Sequence, residues 1–195
     1  MNNNSTMPTV DCDNMIIVDA DFVDKVAFDL IVNFERMLGR RIANADMARW
    51  LDCLALDGGV REGQQQTQVA LLHSRGKSRM DYFVPADFAD ELDGKAFADN
   101  LGEFVINTFS EQDIVTRSQL LVDMVSLCAA AKEVRRLIVV PDENDYDAVR
   151  HALRQTDDEK RVTVLAMQPM PGGNFRQEIL GYSLMSALGI RADEL

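Results

Sequence analysis

The sequence lacks any apolar run long enough to cross a bilayer, and its MNNNST opening lacks the basic and apolar regions of a secretory signal. The expected setting is therefore cytoplasmic, with no membrane partner. Cysteine is scarce: Cys12, Cys53 and Cys128 are odd in number, isolated, and without C-x-x-C or paired histidine spacing. That argues against a disulfide framework and a zinc site of the common kinds. His73 and His151 have no triad partner in view, so no histidine base is expected. Basic charge is also in deficit. Lys and Arg number 20 against 32 Asp and Glu, a net charge of −12, which opposes tight binding of long nucleic acid by general electrostatics. A carboxylate cluster neutralised by bound cations would soften that objection locally.

What is present fits one globular domain with a full core. Of the 195 residues, 47% are hydrophobic and 27% charged. Met1–Asn14 is expected to be a flexible opening segment and residues 15–195 a single domain. MIIVDA (Met15–Ala20) is a β-branched run with no helical period and predicts the first strand. From Phe22 to Leu38 the apolar residues recur at three and four, an amphipathic helix stopped by Gly39. Asn44 or Asp46 caps a second helix carrying Met47, Trp50, Leu51 and Leu54. Thr67–His73 predicts the second strand, followed by SRGKSR, the one concentrated basic stretch. Met80–Asn100 is irregular and predicts a strand or loop and then a short helix.

Phe104–Phe109 predicts the third strand and Ser118–Val134 a helix. LIVV (Leu137–Val140) predicts a fourth strand buried on both faces and stopped by Pro141. A helix over Tyr146–Arg154, a fifth strand over Arg161–Met167 and a last helix from about Asn174 to Leu188 complete the chain. Strands alternating with helices imply a three-layer α/β/α fold with a mainly parallel sheet.

If the strands are parallel, their carboxyl ends share one edge, where open α/β sheets hold ligands. Asp19, Asp142 and Asp145 would meet there, joined by Asp123 from the third helix. Carboxylates held together repel unless a cation neutralises them, and Mg²⁺ or Mn²⁺ accepts such oxygen ligands while keeping waters. A metal-bound water can attack a phosphodiester while the metal stabilises the charge that develops. Arg75, Lys77 and Arg79 follow the second strand at the same expected edge, where they could meet substrate phosphates. Each acid also has a plainer reading: Asp19, Asp142 and Asp145 as helix caps, and Asp123 as part of a solvated face with Gln119 and Ser126. Asp21 and Asp24 are expected to be first-turn helix acids.

The order IIVDAD, then RSQLLVDMVSL, then LIVVPDENDYDAV with RVTVLAM after it, resembles the NYN branch of the PIN-like nucleases. That resemblance implies a PIN-like, Rossmann-like fold and metal-dependent endoribonuclease activity, a hydrolase acting on RNA. It assigns Asp19 to the first family acid, Asp123 to the helical acid, and Asp142 with Asp145 to the late pair. Arg117 is the nearest match to a basic residue common before the helical acid. The chain departs from the family at Val140-Pro141, where Ser-Gly is usual, and in having Glu143-Asn144 between the late acids. Either of those two residues could then replace Asp145 as the second late ligand. Two other functions fit the same residues. One is a catalytically inactive PIN-like interaction module with a protein partner or a second copy of the chain. The other is a haloacid dehalogenase-type phosphohydrolase, since Asp19-Ala20-Asp21 ends the first strand as that family's acid pair does.

Overall fold

A computed structural model describes residues 10–195. Most of the expected opening segment Met1–Asn14 lies outside the described residues. Its end is structured: Cys12 is buried and Asn14 opens the first strand. In chain order the elements are β1 (Asn14–Asp19), α1 (Ala20–Leu38), β2 (Ala45–Asp46), α2 (Met47–Asp57), β3 (Gln66–His73) and β4 (Phe83–Val84). A single π-helical turn, Phe88–Leu92, leads to β5 (Lys95–Asp99), β6 (Gly102–Ser110), α3 (Arg117–Ala130) and β7 (Arg136–Val140). A 3-10 turn, Glu143–Asp145, precedes α4 (Tyr146–Ala152), β8 (Arg161–Ala166), β9 (Arg176–Ile179) and α5 (Leu180–Ala187).

The seven-stranded sheet runs β5-β6-β3-β1-β7-β8-β9, and every pairing is parallel except β5 with β6. The alternation of side chains along each strand feeds two cores. Ile16, Val18, Val69, Leu71, Ile138 and Val140 face α1, α2 and α5, while Met15, Ile17, Ala70, Leu72, Leu137 and Val139 face α3 and α4. The chain is thus an α/β protein of Rossmann-like arrangement, with helices on both faces of the sheet. None of the helices in the described residues is long and apolar enough to cross a membrane.

Local signals explain the boundaries. Asp19 caps α1 by accepting from the Phe22 amide, and Gly39, at a φ of 65°, ends that helix while its N–H donates to Glu35 O. Asp46 caps α2 through the Arg49 amide. The buried Trp50 Nε1–H donates to Ser183 Oγ at 3.1 Å, tying α2 to α5. Cys12 and Cys128 sit in the core beneath α3, and burial pushes their thiols up to about 11 and about 12.

Three expectations are corrected. The irregular Met80–Asn100 stretch holds a two-residue strand, one helical turn and then β5, which folds back on β6 as a hairpin. Asp99 Oδ1 accepts from the Leu101 amide, so the Asp99–Gly102 segment is the tight turn between them. The last helix does not begin at Asn174: Arg176–Ile179 is β9, paired in parallel with β8, and the helix starts at Leu180. The helix expected over Ser118–Val134 stops at Ala130, where Lys160 Nζ donates to the carbonyls of Cys128 and Ala131.

Candidate functional site at the carboxyl edge of the sheet

The strand order reverses beside β1: β3 and β6 lie on one side of it, β7, β8 and β9 on the other. The crevice outside the carboxyl ends of β1 and β7 is where such sheets bind ligands. Asp19 ends β1 there and has no solvent exposure. The first residue of α3, Arg117, reaches across to it: Nε donates to Asp19 Oδ2 and NH1 to Asp21 Oδ2, both at 2.8 Å. The next residue, Ser118, donates from Oγ to Asp145 Oδ2 at 2.9 Å. The amino end of α3 therefore brings Asp19, Asp21 and Asp145 to one crevice, tied through two adjacent side chains.

Burial pushes the Asp19 carboxyl above its ordinary range, although the Phe22 amide and Arg117 act in the opposite direction. Burial also works against the Arg117 charge, but Asp19, Asp21 and Glu111 outweigh it and hold the guanidinium above its usual pKa. One oxygen remains unserved: Asp21 Oδ1 is buried without a hydrogen-bond partner.

The other expected ligands are engaged elsewhere. Asp142 Oδ1 accepts from the backbone and side-chain nitrogens of Asn144, capping the 3-10 turn. Glu143 Oε1 accepts from the Met167 amide beyond β8. Asp123 is not brought to the crevice. At about 100° per residue it lies roughly 140° around α3 from Ser118. It accepts from Gln119 Nε2 at 2.8 Å and lines a different groove with Phe109, Leu120 and Met124. Among the described residues no three His, Cys, Asp or Glu side chains stand close enough to share a metal ion.

The expected substrate-binding cations are also paired with acids. Lys77 Nζ donates to Asp24 Oδ2 at 2.6 Å, Arg75 pairs with Asp113, and Arg79 with Asp81. Only the first of these pairs is substantially buried, and exposed pairs leave their charges available to solvent. Asp24, expected to be an ordinary first-turn acid, is buried. It also accepts from the amides of Asp81 and Tyr82, pinning the basic loop against α1. Glu111 accepts from the amides of Arg75 and Arg117, linking that loop to the start of α3. No local pattern marks Asp24 or Glu111 for these roles, because their partners lie in distant turns.

A family model described as a family of unknown function, DUF6621, matches residues 11–195. The chain belongs to DUF6621. No curated protein and no solved structure matches it. For the DUF6621 chain, then, the crevice itself carries the functional argument. It is a group of acids at the topological switch point, already paired with an internal cation, Arg117.

Proposed function

We propose that the chain is a PIN-like, NYN-type module that works by binding a partner rather than by cleaving a phosphodiester bond. The observation that carries this reading is the Arg117 guanidinium on Asp19 and Asp21. It supplies the positive charge that clustered carboxylates need, and it occupies Asp19 Oδ2 while the Phe22 amide holds Oδ1. The acids as arranged do not fit a Mg²⁺ or Mn²⁺ centre. Asp142 is spent on its own turn and Asp123 lies on another helix face. Asp19 is fully buried, which disfavours it as a phosphohydrolase nucleophile.

A second reading keeps the nuclease: a metal-dependent ribonuclease whose crevice opens when Arg117 moves aside. The buried, unpartnered Asp21 Oδ1 favours it. One experiment decides between the two. The purified chain is incubated with single-stranded RNA and Mg²⁺ or Mn²⁺, and its melting temperature is followed as Mn²⁺ is added. No cleavage and an unchanged melting temperature are expected. Mn²⁺-dependent cleavage that disappears in Asp145→Asn overturns the non-catalytic reading.

A further inference from the structure

We infer that the amino edge of the sheet carries a site for the phosphate group of a small hydrophilic molecule, held by Arg61, Arg135 and Arg136. This site lies beyond the reading of the crevice: it is at the opposite edge and uses none of the same residues. Because β3, β1 and β7 are parallel, their first residues share that edge, with Asn14 standing between Thr67 and Arg136. The loop after α2 brings Arg61 to the same place, where the three arginines line one pocket of about 350 Å³ with Asp13, Glu62 and Gln64.

Three like charges meet here in a chain of net charge −12, and none of the three has an ion pair among the described residues. The acids in the same wall are turned to neutral donors. Asp13 Oδ2 accepts from the Gln66 amide and Glu62 Oε1 from Asn100 Nδ2. The guanidiniums are held but not neutralised. Asn14 is fully buried, and its Nδ2 donates to Gln65 Oε1 and Thr67 Oγ1, which leaves Oδ1 to accept from Arg136 NH1 at 3.3 Å. Arg136 Nε is buried with no partner at all. Arg61 NH1 donates to the Leu56 and Val60 carbonyls at the end of α2, while the amides of Arg135 and Arg136 both donate to Asp13 O. A partly buried cation without a counter-charge is costly, and a bound anion would relieve that cost.

Size, lining and charge select the occupant. About 350 Å³ falls at the small end of the range for small-molecule pockets. No aliphatic or aromatic side chain lines it among the described residues, so nothing there would grip a ring or a base. Guanidiniums match oxyanions with paired N–H donors, and three of them offer more donors than the two oxygens of a carboxylate can take; a phosphate has the oxygens to use them. Beside the pocket the sign changes: the adjoining cavity, which shares Asp13, Gln64 and Gln65, is lined by Asp99 and Glu103. A polyanion extending that way would meet both acids, whereas the hydroxyls of a neutral body could donate to them.

The test is isothermal titration calorimetry of the full chain with inorganic phosphate and with glucose 6-phosphate, set against glucose and against sodium chloride at matched ionic strength. Both phosphates should bind and raise the melting temperature, and glucose and chloride should do neither. Arg61 and Arg135 are exposed, so Arg61→Gln and Arg135→Gln, checked for folding by circular dichroism, remove charge without opening the core. Each should weaken phosphate binding at least about tenfold, while Arg154→Gln elsewhere on the surface should leave it unchanged. Tighter binding of the ester than of the free anion identifies a phosphate ester as the occupant, and equal binding identifies the anion itself; either supports the site. No binding beyond that of chloride, or binding that survives both pocket variants, overturns the proposal. So does a short single-stranded RNA that binds through the same arginines more tightly than either phosphate, because the pocket is then a contact for a nucleic-acid strand.

Discussion

Arg117 Nε donates to Asp19 Oδ2 at 2.8 Å, joining the first residue of α3 to the last residue of β1 across 98 positions of the chain. The bond lies at the centre of the crevice, and its removal separates structural from chemical roles there. Breaking a buried pair by removing one partner leaves an uncompensated charge. Arg117→Met should therefore cost about 3 kcal/mol in urea unfolding. The Asp19 carboxyl is already raised by burial, and without the guanidinium it rises further. The folded variant then binds a proton that the unfolded chain releases, so its stability should recover as pH falls through the acidic range. Asp19→Asn combined with Arg117→Met should regain most of the loss. A pH-independent deficit, or a double variant no better than the single, would contradict this account.

The buried Asp24 carboxylate ties α1 to the basic loop through Lys77 and the amides of Asp81 and Tyr82. Asp24→Ala leaves those two amides without their acceptor, at a cost of about 3 kcal/mol. Hydrogen exchange should quicken first at Asp81 and Tyr82. Uniform loss of protection across the sheet, with these amides unremarkable, would count against the loop's dependence on Asp24.

Asp52 on α2 supplies a pH dependence of its own. Burial, and then hydrogen bonding to and repulsion from Asp99, push its carboxyl from 3.8 up to about 7. Because the folded-state value is raised, the folded chain holds the extra proton. Stability from this group is greatest in acid and declines as pH rises from about 4 to 7. Asp52→Asn should flatten that decline and raise stability at pH 8 by about 1 kcal/mol, read from denaturant midpoints. An unchanged pH profile would remove Asp52 as its source.

Parallel strands β1, β3, β6, β7 and β8 and the first two helices are legible because their patterns are strong. MIIVD and LIVV are continuous apolar runs, and α1 repeats at three and four with Gly39 after it. β9 was hidden because Arg176-Gln177-Glu178 is polar, adjoins a true helix and has good helix formers. β5 carried a signal, the Asp99–Gly102 turn ahead of β6, that its surrounding acids obscured. At the site, the parallel sheet alone puts the ends of β1 and β7 on one edge, while Arg117 and Ser118 of α3 link Asp19 and Asp145 there. What the acids bind did not follow, since whether a carboxylate meets a metal or a guanidinium depends on side chains such as Arg117 that arrive from far along the chain. Asp123 was misplaced for a simpler reason: it belongs with Gln119 and Ser126 to the polar stripe of α3, which turns away from the crevice.

The two core thiols beneath α3 give the molecule a built-in reporter. Cys12 and Cys128 are buried and held in the protonated, unreactive form, whereas Cys53 on α2 is only half-buried. An alkylating reagent at neutral pH therefore reaches the first two only when the sheet and α3 part. The rate at which they become modified measures how often this half of the protein opens, with no added label and no change to the sequence.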